Sequence, residues 1–144
     1  MDNDINKKLI ILVDDNPAIL QMGMGVLSDD YRVATAPSAV KLFRLLDQLK
    51  NDADGNEAVV PDLIILDIDM PEVDGYQLIQ VLKFRPDTKN IPVIFLTGKT
   101  DSIDEFMGLS FGAIDYIKKP YEPSILIERI KKHLQSSNEN KINK

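Results

Sequence analysis

The 144-residue chain reads as a doubly wound α/β domain: a five-stranded parallel sheet with helices on both faces. Three observations predict this. Five short apolar runs alternate with stretches of helical period, which a parallel sheet accommodates through right-handed crossovers. The first and third runs, LIILV and LIIL, are apolar at every position, as strands buried on both faces must be. Reactive side chains follow most of the runs, and in such sheets ligands lie outside the carboxyl ends of the strands, where strand order reverses.

Leu9 to Val13 forms the first strand. Pro17 suits the first turn of the next helix, with Asn16 or Asp15 as its cap. Ile19, Met22, Val26 and Leu27 fall on one face of that helix, which Gly23 and Gly25 weaken. Tyr31 to Thr35 (YRVAT) alternates and is rich in β-formers, so it reads as an edge strand. Val40, Phe43, Leu46 and Leu49 give Ser38 to Leu49 a helical period. Asn51 to Pro61 (NDADGNEAVVP) is a long connection for such a fold. Its D-x-D-G-N resembles the start of a calcium loop, but no glutamate occupies the bidentate position, so it reads as a surface loop.

Leu63 to Asp67 is the third strand and Tyr76 to Phe84 the helix after it. Pro92 to Leu96 is the fourth strand, and Ile103, Phe106 and Met107 mark a short helix. Ile114 to Ile117 is a brief fifth strand. Ser124 to Gln135 is the last helix, with Ile127, Ile130 and Leu134 aligned. The domain is thus expected over residues 1–135, with the polar residues 136–144 as a flexible tail or the start of a linker.

Composition removes several classes of function. Without cysteine there is neither a disulfide framework nor a thiolate metal site. A single histidine, His133, excludes multi-histidine metal sites within one chain, and among Lys131 and Lys132 it reads as a solvated surface residue. A formal charge of -6 argues against direct nucleic-acid binding, which needs Lys and Arg on phosphates. It argues equally against an anionic membrane surface. No apolar run approaches the roughly 20 residues of a membrane span, and MDNDINKK is no signal peptide. A cytoplasmic domain is the expectation.

The strand ends carry the chemistry. Asp14 and Asp15 follow the first strand, Asp67 ends the third, Thr97-Gly98 ends the fourth, and Lys118-Lys119-Pro120 follows the fifth. The second strand runs into Ala36-Pro37 and offers little. With strand order 2-1-3-4-5 the four reactive ends are contiguous and the poor one is at the edge. Each residue has a plain structural reading: Asp14-Asp15 as a helix cap, Thr97 as a strand β-former, Lys119 as a surface lysine, Asp74-Gly75 as a turn signal. Those readings leave the clustering at adjacent strand ends unexplained. Clustered carboxylates attract a hard cation such as Mg²⁺. A carboxylate can attack phosphorus, a threonine can donate to a phosphoryl oxygen and a lysine can supply charge. Positioning and charge stabilisation are most of what phosphoryl transfer needs.

The motifs ILVDDNP, LIILDIDMPEVDGYQL, PVIFLTGKT and GAIDYIKKP, in this order and spacing, resemble the receiver domain of bacterial two-component response regulators. The resemblance spans roughly Lys8 to Gln135 and implies a flavodoxin-like (βα)5 fold. It implies Asp67 as phosphoacceptor from a sensor histidine kinase or histidine phosphotransfer protein. It further implies Mg²⁺ on Asp14, Asp15, Asp67 and the backbone carbonyl of Asp69, with Thr97 and Lys119 on the phosphoryl group. Tyr116 matches the aromatic that changes rotamer on activation, and Gly98 the small residue beside the phosphoryl group. Asp69 and Lys99 are expected to flank that group and set how fast water reaches it. The switching surface would be the fourth helix, fifth strand and fifth helix, serving an effector protein, an output domain or a homodimer.

Two rivals follow from the same residues. Asp67-x-Asp69 after an apolar strand resembles the nucleophile motif of haloacid-dehalogenase-type phosphatases. Those enzymes begin with that strand and supply further acids late, whereas Asp14 and Asp15 come first here. A degenerate receiver acting as a pure interaction module would lack part of the acid, threonine and lysine set.

Overall fold

The computed structural model describes residues 7–50, 59–71, 73–98 and 102–142. The elements alternate without exception: β1 (Leu9–Val13), α1 (Pro17–Leu27), β2 (Arg32–Ala36), α2 (Ala39–Lys50), β3 (Leu63–Leu66), α3 (Gly75–Phe84), β4 (Val93–Thr97), α4 (Ser102–Ser110), β5 (Asp115–Lys118) and α5 (Pro123–Ile142). The sheet is parallel throughout, with order β2-β1-β3-β4-β5. The expected fold class and the edge position of the second strand both hold. The helix after β5 continues to Ile142, beyond Gln135, through a stretch that contains neither glycine nor proline.

Two apolar layers sandwich the sheet. Ile11, Val13, Ile64, Leu66, Val93 and Phe95 face α2, α3 and α4, while Ile10, Leu12, Leu63, Ile65, Ile94 and Leu96 face α1 and α5. Adjacent residues of each strand thus point to opposite layers, and both layers are lined by buried apolar side chains. That is why β1 and β3, and β4 as far as Leu96, are apolar at every position.

Several helices present a different face from the one their large apolar residues suggested. In α1 the buried stripe is Leu20, Gly23 and Leu27, and Met22 is exposed. Gly23 belongs to the stripe because α1 approaches β1 there: a Cβ would stand 2.4 Å from Leu12 Cδ2. In α2 Leu42 and Leu46 are buried and Val40 is exposed. In α4 Phe106 and Met107 face solvent, and Gly108 is buried. Asn16 caps α1, accepting from the Ala18 N–H at 2.9 Å.

His133 is not the solvated residue its lysine neighbours suggested. Its Nε2 lies 3.0 Å from Asp115 Oδ2, and Arg129, one turn earlier on α5, donates to Asp115 Oδ1 at 2.7 Å. Burial alone would raise the Asp115 carboxyl; the bonds from His133, the Tyr116 N–H and Arg129 outweigh it and hold it below the usual carboxylate range. The stretch Asn51 to Pro61, expected as a surface loop, lies largely outside the described residues. Among the described residues no helix is long and apolar enough to cross a membrane.

Candidate functional site

Strand register brings the site together. Val13 pairs with Leu66, Leu66 with Phe95, and Thr97 with Lys118, so the residues that follow emerge at one edge of the sheet. Backbone bonds extend the ladders past the strand ends: the Asp67 N–H donates to Val13 O at 3.0 Å, and the Lys119 N–H to Thr97 O at 2.8 Å. Asp14, Asp67 and Thr97 are buried, whereas Asp15 is exposed at the rim.

Carboxylate oxygens of Asp14, Asp15 and Asp67 all lie within 4.8 Å of one another. Lys119 Nζ donates to Asp14 Oδ2 at 2.6 Å and stands 3.7 Å from Asp67 Oδ2. The neighbouring Lys118 is exposed. Asp14 Oδ1 accepts from the Asn16 N–H at 2.9 Å, and Asp67 Oδ1 from the Asp69 N–H at 3.2 Å. Burial pushes the Asp67 carboxyl above its ordinary range, and the Asp14 charge adds to this. The Asp69 N–H, the Lys119 ammonium and a hydrogen bond from Thr97 act in the opposite sense without cancelling it.

The donor set fits a metal ion. Three carboxylates offer only oxygen, two of them are largely removed from water, and one ammonium stands among them. Oxygen-only, acid-rich sites of this kind suit hard divalent cations.

A family model for the response regulator receiver domain matches residues 10–131. The chain belongs to that family. Receiver domains accept a phosphoryl group on an aspartate and pair with histidine kinases; they are not turnover enzymes, which removes the phosphatase alternative. The pocket of Asp14, Asp15 and Asp67 is typical of the phosphoacceptor site of such domains. This receiver domain is 38% identical over 133 residues to a "Probable cyclic di-GMP phosphodiesterase" of Vibrio cholerae serotype O1, covering 92% of this chain and 28% of that protein. It is 31% identical over 133 residues to the DNA-binding response regulator MtrA of Mycolicibacterium smegmatis, covering 92% and 53%. Among solved structures it is similar to the BeF3-activated N-terminal receiver domain of Klebsiella pneumoniae RstA, with TM-score 0.74, 27% identity and coverage of 88% and 98%. The chain therefore spans about half or less of those two curated relatives, which carry phosphodiesterase or DNA-binding functions by name.

The remaining expected residues are distributed around this centre. Tyr116 is buried with its ring turned inward against Phe95, at 6.2 Å between centroids. Asp69, two residues after Asp67, is exposed. A Cβ on Gly98 would meet nothing within 4 Å, so there is open space there. Lys99 lies outside the described residues. One residue of the site escaped the sequence reading. Gly75 looked like a turn signal, yet its real constraint is contact: a Cβ there would stand 2.4 Å from Ile68 Cα and 2.9 Å from Asp67 O. The start of α3 thus presses on the backbone that carries Asp67, and the Gly75 N–H donates to Ile68 O at 2.8 Å.

Proposed function

We propose that Asp67 is the phosphoacceptor, that Mg²⁺ is the ion of the acidic pocket, and that the acylphosphate switches the surface of α4, β5 and α5. The observation that carries this reading is the convergence of Asp14, Asp15, Asp67, Thr97 and Lys119 at one sheet edge. Asp14, Asp15, Asp67 and the Asp69 backbone carbonyl would hold Mg²⁺. When bound, it neutralises the carboxylates and draws an anionic phosphoryl donor toward them.

In the transfer, a carboxylate oxygen of Asp67 forms the O–P bond as the P–N bond of the donor's phosphohistidine breaks. The Asp69 N–H fixes the Asp67 carboxylate for attack. Thr97 and Lys119 then turn from Asp67 and Asp14 to the phosphoryl oxygens, which carry roughly -1.5 to -2 of charge if they behave like other phosphate monoesters. Those contacts exist only in the phosphorylated form, so they shift the conformational population toward the state in which Tyr116 is packed inward. Gly98 leaves room for the group, and Asp69 and Lys99 set its rate of hydrolysis.

The face to be switched carries exposed apolar residues, among them Phe106, Leu109, Ile114 and Ile125, suited to an effector, an output domain or a second copy. A sensor histidine kinase or histidine phosphotransfer protein supplies the phosphoryl group. We assign the receiver unit to residues 1–135, with residues 136–144 as a flexible tail or the start of a linker. Incubation with acetyl phosphate and Mg²⁺ should label the wild type at a single site and leave Asp67→Asn unlabelled; labelling retained in Asp67→Asn refutes the acceptor assignment.

A further inference from the structure

Four aromatic rings connect the acceptor loop to the helix that follows β4. Tyr76, in the first turn of α3, packs edge-on against Phe95 at 5.7 Å between centroids and against Phe111 at 5.8 Å. Phe95, on β4 two residues before Thr97, packs edge-on against Tyr116 of β5. Phe111 directly follows α4, and its N–H donates to Met107 O at 3.1 Å. Gly108 lies three residues before Phe111, close against the same rings: a Cβ there would stand 2.8 Å from Phe95 Cδ2 and 3.3 Å from Tyr116 Cδ2. The α4 segment thus rests on the cluster at two points. At one it leaves out a side chain, and at the other it contributes a ring.

The acceptor loop meets the same cluster from the other side. Gly75 is wedged against the backbone of Asp67 and Ile68, and Tyr76 is the next residue along. The Tyr76 N–H donates to the capping Asp74 carboxylate at 2.9 Å, which holds this first turn in place. A displacement of the Asp67 backbone therefore meets the first turn of α3, which carries the Tyr76 ring, at close range. Close-packed protein interiors transmit such shifts instead of absorbing them.

We propose that Tyr76 and Phe111 form a second switch link, carrying the change at Asp67 through the start of α3 directly to α4. It runs parallel to the route through Thr97 and Tyr116. Tyr76 and Phe111 act as positioning residues: neither touches the phosphoryl group, and each acts through the loop or helix it supports. The link rests on Asp67 being the acceptor, and its test separates the two claims.

The test uses the protein with Mg²⁺ and beryllofluoride as the phosphoryl probe, read by amide NMR shifts. Probe-induced shifts at residues 67–69 and 97 in the wild type, absent in Asp67→Asn, report on the acceptor reading alone. With those shifts present, Tyr76→Leu and Phe111→Leu should each reduce the response of residues 106–111 at least two-fold and leave that of Thr97 intact. The double variant should lose no more than the greater single loss, because both residues lie on one path. Tyr76→Phe keeps the ring and should restore the α4 response. Half-buried Phe111 gives the milder substitution, so the prediction stands even where Tyr76→Leu folds poorly. A full α4 response in Phe111→Leu, strictly additive losses, or no rescue by Tyr76→Phe overturns the link.

Discussion

Asp67 shows how one residue can work against the fold that holds it. Its carboxylate is buried beside Asp14, and its pKa is raised by burial first, despite the Asp69 N–H and Lys119. A carboxyl with a raised folded-state pKa contributes stability below its unfolded value, about 3.9, and loses that contribution as pH rises through the folded value. At neutral pH, ionised Asp67 thus costs the metal-free domain stability. Metal-free Asp67→Asn should melt above the wild type at pH 7, with the gap closing as pH falls toward 4. Calorimetry across that range checks it, and a lower melting temperature at pH 7 contradicts the argument. Asp67, Thr97 and Lys119 were legible as candidates because each stands at or just after a strand's end. Gly75 was not, because its constraint is a contact with Ile68 and no local pattern encodes it.

At the scale of elements, strand and helix positions followed from periodicity, with ends differing by one or two residues at most boundaries. The faces of the helices did not. Apolar side chains on α1 pointed to Met22 as core, whereas Gly23 occupies the stripe because close approach to β1 requires it. The two glycines of α1 should therefore respond oppositely. Gly25 has nothing within 4 Å of where a Cβ would stand and is exposed, so Gly25→Ala should stabilise the domain by about 0.5–1 kcal/mol. Gly23→Ala collides with Leu12 and should destabilise it. Urea melts of the two variants decide this, and equal effects would mean that α1 does not pack as described. The His133–Asp115 contact belongs to this scale as well. It joins α5 to β5, and the lysines next to His133 in the chain gave no sign of a partner 18 positions away.

The whole molecule assembles what no element contains. Lys119 meets Asp14 across 105 positions of chain because β1 and β5 deliver their carboxyl ends to the same edge. That edge gathers three carboxylates around one ammonium, so an ion that binds the folded form and not the unfolded chain stabilises the domain by mass action. Mg²⁺ at a hundred times its dissociation constant should add about 2.7 kcal/mol to the unfolding free energy. Asp15→Asn should lose most of that gain while leaving metal-free stability near the wild type, since Asp15 is exposed. Denaturant curves with and without Mg²⁺ test both statements, and a Mg²⁺ effect unchanged in Asp15→Asn removes that residue from the metal site.

By itself the sequence determined the class of fold, the order of the elements and which side chains stand at strand ends. Those are local properties: apolar runs, helical period, and the residue that follows each run. Only the tertiary structure decided that Lys119 pairs first with Asp14, that Val40 and Phe106 face solvent, and that Gly23, Gly75 and Gly108 are contact points. Those depend on the distance between segments far apart in the chain. Side-chain identity records such distances weakly, and a glycine, having no side chain, gives no apolar signal at all.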